Sequence, residues 1–181
     1  GGGGGGRGEG GAGTACPGRE PASAMATPPC RILDRTGTPG YTAGRRLGDL
    51  GAYVIKVEPR GGDPSRMAPP YAGDEPDGER SLAWAAYNAS KRGITLGLDG
   101  ATGRALFMDL VAVADFVIDS SGGGCLAGLG LANADLAKVN PALITVAITA
   151  FGSGGPYGGY QATDLVAMAM GGWVAITGEE D

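Results

Sequence analysis

The sequence contains no histidine among its 181 residues. This absence excludes Ser-His-Asp and Cys-His catalysis within the chain, as well as His-ligated zinc and a His proton shuttle. The cysteines, Cys16, Cys30 and Cys125, are widely spaced and form no CxxC pair, which indicates neither a disulfide framework nor a metal knuckle. We therefore expect no metal cofactor and a reducing, cytoplasmic environment.

Positive charge and long apolar runs are also scarce. The formal net charge of −5 argues against nonspecific nucleic-acid binding, which requires a broad cationic surface. No apolar run reaches the roughly 18 residues that would span a bilayer, and no signal-peptide apolar region is found at the N-terminus. We expect neither nucleic acid nor membrane as a partner. An anionic ligand would need a local basic patch.

Glycine, by contrast, is abundant at the N-terminus, where ten of the first thirteen residues are glycine. Residues 1–29 are predicted to be a disordered Gly/Ala/Pro-rich tail, and residues 30–181 to form the folded part. The GxGxxG match at Gly8, Gly10 and Gly13 is interpreted as chance, because no strand precedes it. Met25 is a candidate start of the natural chain.

From Cys30 onward, short apolar runs alternate with helix-period segments. This pattern is typical of an α/β protein with a mostly parallel sheet flanked by helices. The predicted strands cover residues 31–34, 53–58, 94–98, 115–119 and 143–149.

Three helices are predicted between and after these strands. The first presents one apolar face, made by Phe107, Leu110, Val111 and Ala114. Its predicted N-cap is Asp99 or Thr102. The second begins at the cap Asn133 and ends before Pro141. The third begins near Asp164.

The strand 53–58 runs into a long loop, residues 59–80, rich in Pro, Gly and Asp. Ligands of parallel sheets bind beyond the carboxyl ends of the strands, so Arg60 and Arg66 are placed to meet an anion. Lys91 and Arg92, which precede the next strand, can either contact phosphates or act as solvated edge charges.

A second glycine-rich loop, residues 151–164, connects the last strand to the last helix. Its backbone amides can meet a phosphate or oxyanion, or the loop can be a flexible crossover. Asp164 at its end is either a carboxylate nucleophile or, as we favour, a helix N-cap or supporting residue.

Taken in order, five segments of the chain resemble the family III CoA-transferases, the group of formyl-CoA and carnitine-CoA transferases. These segments are residues 32–66, 87–99, 101–121, 126–157 and 162–178. The resemblance implies a Rossmann-like sheet belonging to an incomplete large domain. It also implies an enzyme that moves CoA between an acyl-CoA and a free carboxylic acid through an aspartyl-CoA intermediate.

The family's nucleophilic aspartate corresponds to a position beyond Asp181. The resemblance therefore implies that this chain is an inactive N-terminal fragment that carries no catalytic residue, and that the full-length parent is a homodimer. It also implies where coenzyme A is contacted. The implied contacts are Thr38, Pro39, Arg60, Leu96, Gly97, Leu98, Asp99, Ser120, Ser121, Gly122, Gln161, Ala162 and Thr163.

Two alternatives remain open. The chain can be a noncatalytic or vestigial nucleotide-binding fragment that keeps the sheet without the chemistry. A weaker alternative is an acyl-CoA racemase of the same superfamily, in which a catalytic His precedes the aspartate aligned with Asp164. Thr163 stands at that position here, which argues against racemisation.

Overall fold

The computed structural model describes residues 29–122 and 124–178. Its centre is a sheet of five parallel strands. These are β1 (Arg31–Arg35), β2 (Tyr53–Glu58), β3 (Arg92–Thr95), β4 (Phe116–Asp119) and β5 (Ile144–Ala147). The predicted parallel sheet is confirmed. The predicted tail, with Met25 and the GxGxxG match, lies outside the described residues except for Pro29.

The strand order is β3-β2-β1-β4-β5, which follows the Rossmann order through its fifth strand. In the centre, Leu33 pairs with Ile55 on one side and Val117 on the other. The direction of strand addition reverses between β1 and β4. Such a reversal leaves a crevice at the carboxyl edge of the sheet, where ligands of open α/β sheets bind.

Helices connect the strands and flank the sheet. They are α1 (Tyr41–Asp49), α2 (Leu82–Asn88), α3 (Ala101–Val111), α4 (Cys125–Gly128), α5 (Asn133–Val139) and α6 (Asp164–Met170). Short 3-10 helices cover Thr38–Gly40, Pro64–Met67 and Val174–Ile176. Helices α1 and α2 contact each other, and α3 contacts α5. α2, which the sequence analysis did not predict, begins after Ser81, whose side chain accepts a hydrogen bond from Trp84 N.

Alternate side chains of the strands supply two apolar clusters. The larger cluster comprises Leu33, Val57, Leu98, Phe107, Val111, Ala114, Val117, Leu131 and Leu136. The smaller comprises Ile32, Val54 and Ile118, with Leu47 of α1 packed against it. The predicted apolar face of α3 is thus buried. The face of the sheet that carries the smaller cluster also carries the buried charged residues Asp34, Lys56 and Glu58.

Of the five predicted strand ranges, only 53–58 matches at both ends; β1 and β4 differ by one residue, and β3 and β5 differ by more. β3 covers residues 92–95 rather than 94–98, because its partner β2 ends at Glu58, which pairs with Thr95. The chain then turns at Gly97, and Leu98 joins the core instead of the sheet. β5 covers residues 144–147 rather than 143–149, because β4 offers it only four paired positions.

The predicted helix caps were also wrong. The N-cap of α3 is Gly100, in extended conformation, rather than Asp99 or Thr102. The N-cap of α5 is Ala132 rather than Asn133, and neither cap residue accepts a side-chain hydrogen bond. The two helices therefore begin where the chain leaves the preceding turn, and not at the polar residues that usually favour N-caps.

The described part of the chain has no helix with the length and apolar character required to cross a membrane.

Candidate functional site

A cleft of about 650 Å³ opens at the carboxyl ends of β1, β2 and β4, at the point where the strand order reverses. We call it the first cavity. Its wall combines the β1–α1 loop, the loop after β2, the turn after β3 and the loop after β4. The lining includes Arg35, Thr36, Gly37, Thr38, Tyr41, Lys56, Glu58, Arg60, Asp63, Ser65, Leu96, Gly97, Leu98, Asp99, Ser120 and Ser121.

A second cavity, of about 1010 Å³, adjoins the first. The two share Thr38, Ser120 and Ser121 as lining residues. The second cavity extends along the glycine-rich loop after β5 to the start of α6. Together the two cavities form a long cleft rather than a compact hole, a shape suited to an extended ligand.

All thirteen predicted coenzyme A contacts line this cleft. Those on the first cavity are Thr38, Arg60, Leu96, Gly97, Leu98, Asp99, Ser120 and Ser121. Those on the second are Thr38, Pro39, Ser120, Ser121, Gly122, Gln161, Ala162 and Thr163. The fold thus brings together segments that lie far apart in the sequence. Their role as ligand contacts stays a prediction.

The loops after β1 and β4 are tied directly to each other. Ser120 Oγ accepts a hydrogen bond of 2.7 Å from Gly37 N. Arg35, the last residue of β1, donates to Asp119 Oδ1 at 3.0 Å and to Ser121 Oγ at 2.8 Å. These contacts fix the crevice at the reversal point.

Arg35 was missed by the sequence analysis. The signal available was its position at the end of an apolar strand, where the chain enters the ligand-binding edge of a parallel sheet. Its guanidinium is about four-fifths buried and lies in the wall of the first cavity. Because Asp119 already pairs with it, we interpret Arg35 as a group that holds the crevice together.

Arg60 has an exposed side chain that lies over the turn after β3. A Cβ added to Gly97 would overlap Arg60 Nε and lie 2.9 Å from Asp99 Oδ1. Glycine at position 97 therefore makes room for the guanidinium. Arg60 supplies a positive charge at the mouth of the first cavity, where sequence analysis placed it.

Arg66, by contrast, does not face the cleft as a free cation, and its prediction as an anion contact was wrong. Its guanidinium donates to both carboxylate oxygens of Glu58, at 2.7 and 2.8 Å, and also to Glu79. It stacks over the Trp84 ring, with 4.4 Å from Cζ to the centroid. Burial raises the pKa of Glu58, but the bonds from Arg66 outweigh it and hold that pKa below its usual value.

Lys91 is neither a phosphate contact nor a solvated edge charge, so both interpretations of it were wrong. Its Nζ lies 2.7 Å from Asp34 Oδ2, and it donates to Tyr41 O at 2.9 Å. Arg92 fits the solvated interpretation, since it is exposed and stacks on the Tyr53 ring. Lysine at position 91 points inward because Gly44 leaves space beside Asp34.

A cluster of largely buried polar side chains, Tyr41, Lys56 and Asp63, lies in the wall of the first cavity. Tyr41 OH donates a 2.6 Å hydrogen bond to Asp63 Oδ1, and Lys56 Nζ lies 3.4 Å from Asp63 Oδ2. Burial and the neighbouring carboxylate raise the pKa of Tyr41 to about 12. Burial raises the pKa of Asp63, but bonds from Tyr41 and Ser65 outweigh it and keep that pKa low. The phenol therefore stays neutral and Asp63 stays ionised near neutral pH.

Asp164 lies on the second cavity at the start of α6. It is the first helical residue and not the N-cap, so the predicted capping role was wrong. Thr163 is the cap, and its side chain accepts a 3.4 Å hydrogen bond from Val166 N. Asp164 is exposed.

Within residues 29–122 and 124–178, no cluster of three or more Cys, Asp or Glu side chains is arranged to hold a metal ion.

Comparison with known proteins identifies the family. The model of CoA-transferase family III matches the chain over residues 30–181. The chain belongs to this family. The matched range includes every strand, every helix and every wall of the cleft described above.

Characterised members of CoA-transferase family III are clearly similar to this chain. The benzylsuccinate CoA-transferase subunit BbsE of Thauera aromatica, which uses succinyl-CoA, is 36% identical over 148 residues, covering 82% of this chain and 36% of that protein. The succinate–glutarate CoA-transferase of Agrobacterium fabrum is 42% identical over 146 residues, covering 78% and 36%. This family III chain thus spans about 36% of the length of these relatives.

The fold agrees with solved structures of the family. A CAIB/BAIF family protein from Brucella suis superimposes with a TM-score of 0.73 at 39% identity, covering 84% of this chain and 40% of that protein. The fold described above is therefore shared with a longer protein.

Proposed function

We propose that this chain supplies the coenzyme A cleft of a CoA-transferase that moves CoA between an acyl-CoA and a free carboxylic acid. The observation that carries the proposal is the long cleft at the strand-order reversal of a family III sheet. Relatives from two bacteria are named for CoA transfer between dicarboxylic acids, which supports the same substrate class here.

The exposed cation of the cleft supports an anionic nucleotide. Arg60 lies exposed at the mouth of the first cavity, whereas Arg35 at its base is paired with Asp119. Phosphate groups are favoured by arginine and by backbone N–H groups of loops at strand ends. We assign the phosphates of coenzyme A to the first cavity. Its pantetheine arm runs toward the second cavity, past the shared residues Thr38 and Ser120.

The chemistry that we propose for the parent enzyme uses a carboxylate and no histidine. An aspartate attacks the thioester carbonyl of the donor, which releases CoA thiolate and forms a mixed anhydride. The thiolate then attacks the aspartyl carbonyl, giving aspartyl-CoA and releasing the first acid. The second acid repeats these two steps in reverse and leaves as its CoA thioester.

We assign this nucleophile to a position beyond Asp181 and not to Asp164. Asp164 is exposed on the first turn of α6, beside the cap residue Thr163, and no buried partner orients it. The 181-residue chain is accordingly proposed to bind coenzyme A without transferring it. For the parent enzyme we propose a cytoplasmic homodimer.

Binding of coenzyme A to the purified chain, measured by isothermal titration calorimetry, tests the proposal. We expect saturable binding that weakens as salt is raised, and that weakens at least about tenfold in Arg60→Ala. Arg46→Ala is the matched control, because Arg46 is exposed on α1 and does not line the first cavity.

Three results would count against parts of this proposal. Absence of coenzyme A binding would remove the assignment of the cleft. Binding of other nucleotides as tightly as coenzyme A would favour the noncatalytic nucleotide-binding alternative. Exchange of the α-proton of an acyl-CoA in deuterated buffer would favour a racemase, and CoA transfer from succinyl-CoA by this chain would show that the nucleophile lies within it.

A further inference from the structure

Lys56 is the largest fully buried side chain of the described residues, with 2% of its side chain exposed. It lies in the middle of β2, on the face of the sheet that packs against α1. Alternate residues of a strand share a face, so Lys56 sits between Val54 and Glu58. A lysine in such a place must have its charge compensated by nearby groups.

The ammonium group of Lys56 has partners in two different loops. It donates a hydrogen bond to Thr36 O, in the β1 loop (residues 36–40). It also lies 3.4 Å from Asp63 Oδ2, in the β2 loop (residues 59–66). The remaining side is covered by the Tyr41 ring, whose centroid is 4.7 Å from Nζ.

Asp63 in turn organises the β2 loop. Its Oδ1 accepts hydrogen bonds from Ser65 N at 3.0 Å and from Ser65 Oγ at 2.8 Å, and its own N donates to Glu58 Oε2 at 3.0 Å. Tyr41 OH, from the start of α1, donates to the same Oδ1. The loop conformation that presents Arg60 therefore depends on the position of the Asp63 carboxylate.

From these contacts we infer that Lys56 is a positioning residue that holds the β1 loop and the β2 loop at the spacing that coenzyme A requires. The β1 loop carries Thr38 and Pro39, and the β2 loop carries Arg60. This inference rests on the proposed function. Lys56 lines the first cavity, but its ammonium group is engaged by Thr36 O, Asp63 and the Tyr41 ring, so we assign it no direct contact with the ligand.

A loop-positioning role for Lys56 and a purely core-stabilising role differ in which segments open when the lysine is removed. A side chain that only stabilises the core would, when removed, loosen the whole sheet. A tie between two loops would, when removed, release those loops while β4 and α3 stay protected. Hydrogen exchange reports opening segment by segment and separates the two cases.

The test compares the wild-type chain with Lys56→Met and with the double variant Lys56→Met/Asp63→Asn, by hydrogen exchange with mass spectrometry. The double variant leaves no unpaired charge in the interior, so it covers the case in which the single variant fails to fold. Lys138→Met is the matched control, because Lys138 is an exposed lysine whose Asp135 partner lies on the same helix.

We expect exchange in residues 36–40 and 59–66 to be at least about tenfold faster in the folded variants, with β4 and α3 unchanged. We also expect the dissociation constant of coenzyme A to rise at least about tenfold, while Lys138→Met behaves as wild type.

The inference is overturned if both loops exchange at the wild-type rate in the double variant, or if protection is lost evenly across the sheet. It is equally overturned if the loops open and coenzyme A affinity does not change. A wild-type chain that binds no coenzyme A refutes the proposed function instead. In that case the exchange data still decide whether Lys56 ties the two loops.

Discussion

Lys91 Nζ lies 2.7 Å from Asp34 Oδ2, with only 1% and 0% of the two side chains exposed. Asp34 also accepts hydrogen bonds from Thr36 N at 2.9 Å and Thr36 Oγ1 at 2.6 Å. This pair joins the segment before β3 to the centre of the sheet and to the β1 loop. Burial holds the pKa of Lys91 below its usual value, while Asp34 acts in the opposite direction.

Removing either Lys91 or Asp34 alone should lower the free energy of unfolding substantially. Lys91→Met leaves the Asp34 carboxylate buried without its cation, and we expect a loss of about 3–5 kcal/mol in the free energy of unfolding. Urea denaturation followed by circular dichroism measures the loss. Lys91→Met/Asp34→Asn should recover part of it, because neither charge then remains. A loss in Lys91→Met no greater than that in Lys138→Met would contradict the prediction.

Gly44 leaves the space that the Lys91–Asp34 pair occupies. A Cβ at position 44 would overlap Asp34 Oδ2 and lie 3.1 Å from Lys91 Cε. Gly44→Ala should therefore lower the free energy of unfolding by about 1–3 kcal/mol, even though alanine favours helices more than glycine does. Gly128→Ala in α4 is the matched control, because a Cβ there meets no atom within 4 Å. Equal stability of the two variants in thermal unfolding would show that the space beside Asp34 is not needed.

The Glu58–Arg66 pair predicts a pH dependence. The pKa of Glu58 is held below its ordinary value of 4.5, so its ionised form is favoured in the folded state. Its stabilising contribution is complete above that value and is lost as the pH falls through the folded-state pKa. Glu58→Gln should cost about 1–3 kcal/mol at pH 7, and the difference from wild type should shrink toward pH 3.

Glu79→Gln is the control for this pH series. Glu79 pairs with the same arginine, but 84% of its side chain is exposed, so solvent screens the interaction. We expect its unfolding free energy to follow the wild-type curve from pH 7 to pH 3. A constant gap between Glu58→Gln and wild type over that range would be evidence that ionisation of Glu58 does not contribute.

Gly97 should matter for ligand binding more than for stability. Its missing side chain leaves room for Arg60, and a Cβ there would meet only side-chain atoms, Nε and Cδ of Arg60 and Oδ1 of Asp99. We therefore expect Gly97→Ala to unfold at nearly the wild-type temperature but to bind coenzyme A at least about tenfold more weakly, because Arg60 is displaced. Calorimetric titration beside Gly128→Ala checks this. Unchanged affinity would place the phosphates away from Arg60.

The segment from α6 to the last 3-10 helix exposes large apolar side chains. Leu165, Trp173 and Ile176 have 68%, 63% and 79% of their surfaces exposed. Exposed patches of this kind promote association, so we expect the chain to self-associate at high concentration. Light scattering should show less association for Trp173→Glu than for wild type. A monomeric wild-type chain at the same concentration would rule out this patch as the cause.

Sequence patterns predicted those elements whose signal is local. The apolar spacing of α3 and the β-branched run of β2 are dictated by the 3.6-residue and 2-residue periods of helix and strand. Gly51 follows the C-cap of α1 with a φ of +100°, a conformation that glycine adopts readily. Strand ends were less predictable, because β3 and β5 end where their neighbours end.

Charged side chains were harder to interpret than apolar ones. From the sequence, Arg66 and Lys91 were considered as ligand contacts, because Arg66 follows a strand and Lys91 precedes one. Their partners, Glu58 and Asp34, lie 8 and 57 positions away in the sequence, and only the folded chain brings them together. The burial of Lys56 was not predictable from the sequence, because a lysine within an apolar strand can equally lie exposed at the edge of a sheet.

The sequence by itself determined that the chain is a parallel α/β protein that contains no histidine and resembles CoA-transferase family III, since composition, periodicity and segment order are properties of the chain alone. Only the tertiary structure decided which cations are free to meet a ligand. Arg60 remains exposed, whereas Arg66, Lys56 and Lys91 are neutralised inside the fold. The physical reason is that the free energy of a charge depends on solvent and partners, and both are set by residues distant in sequence.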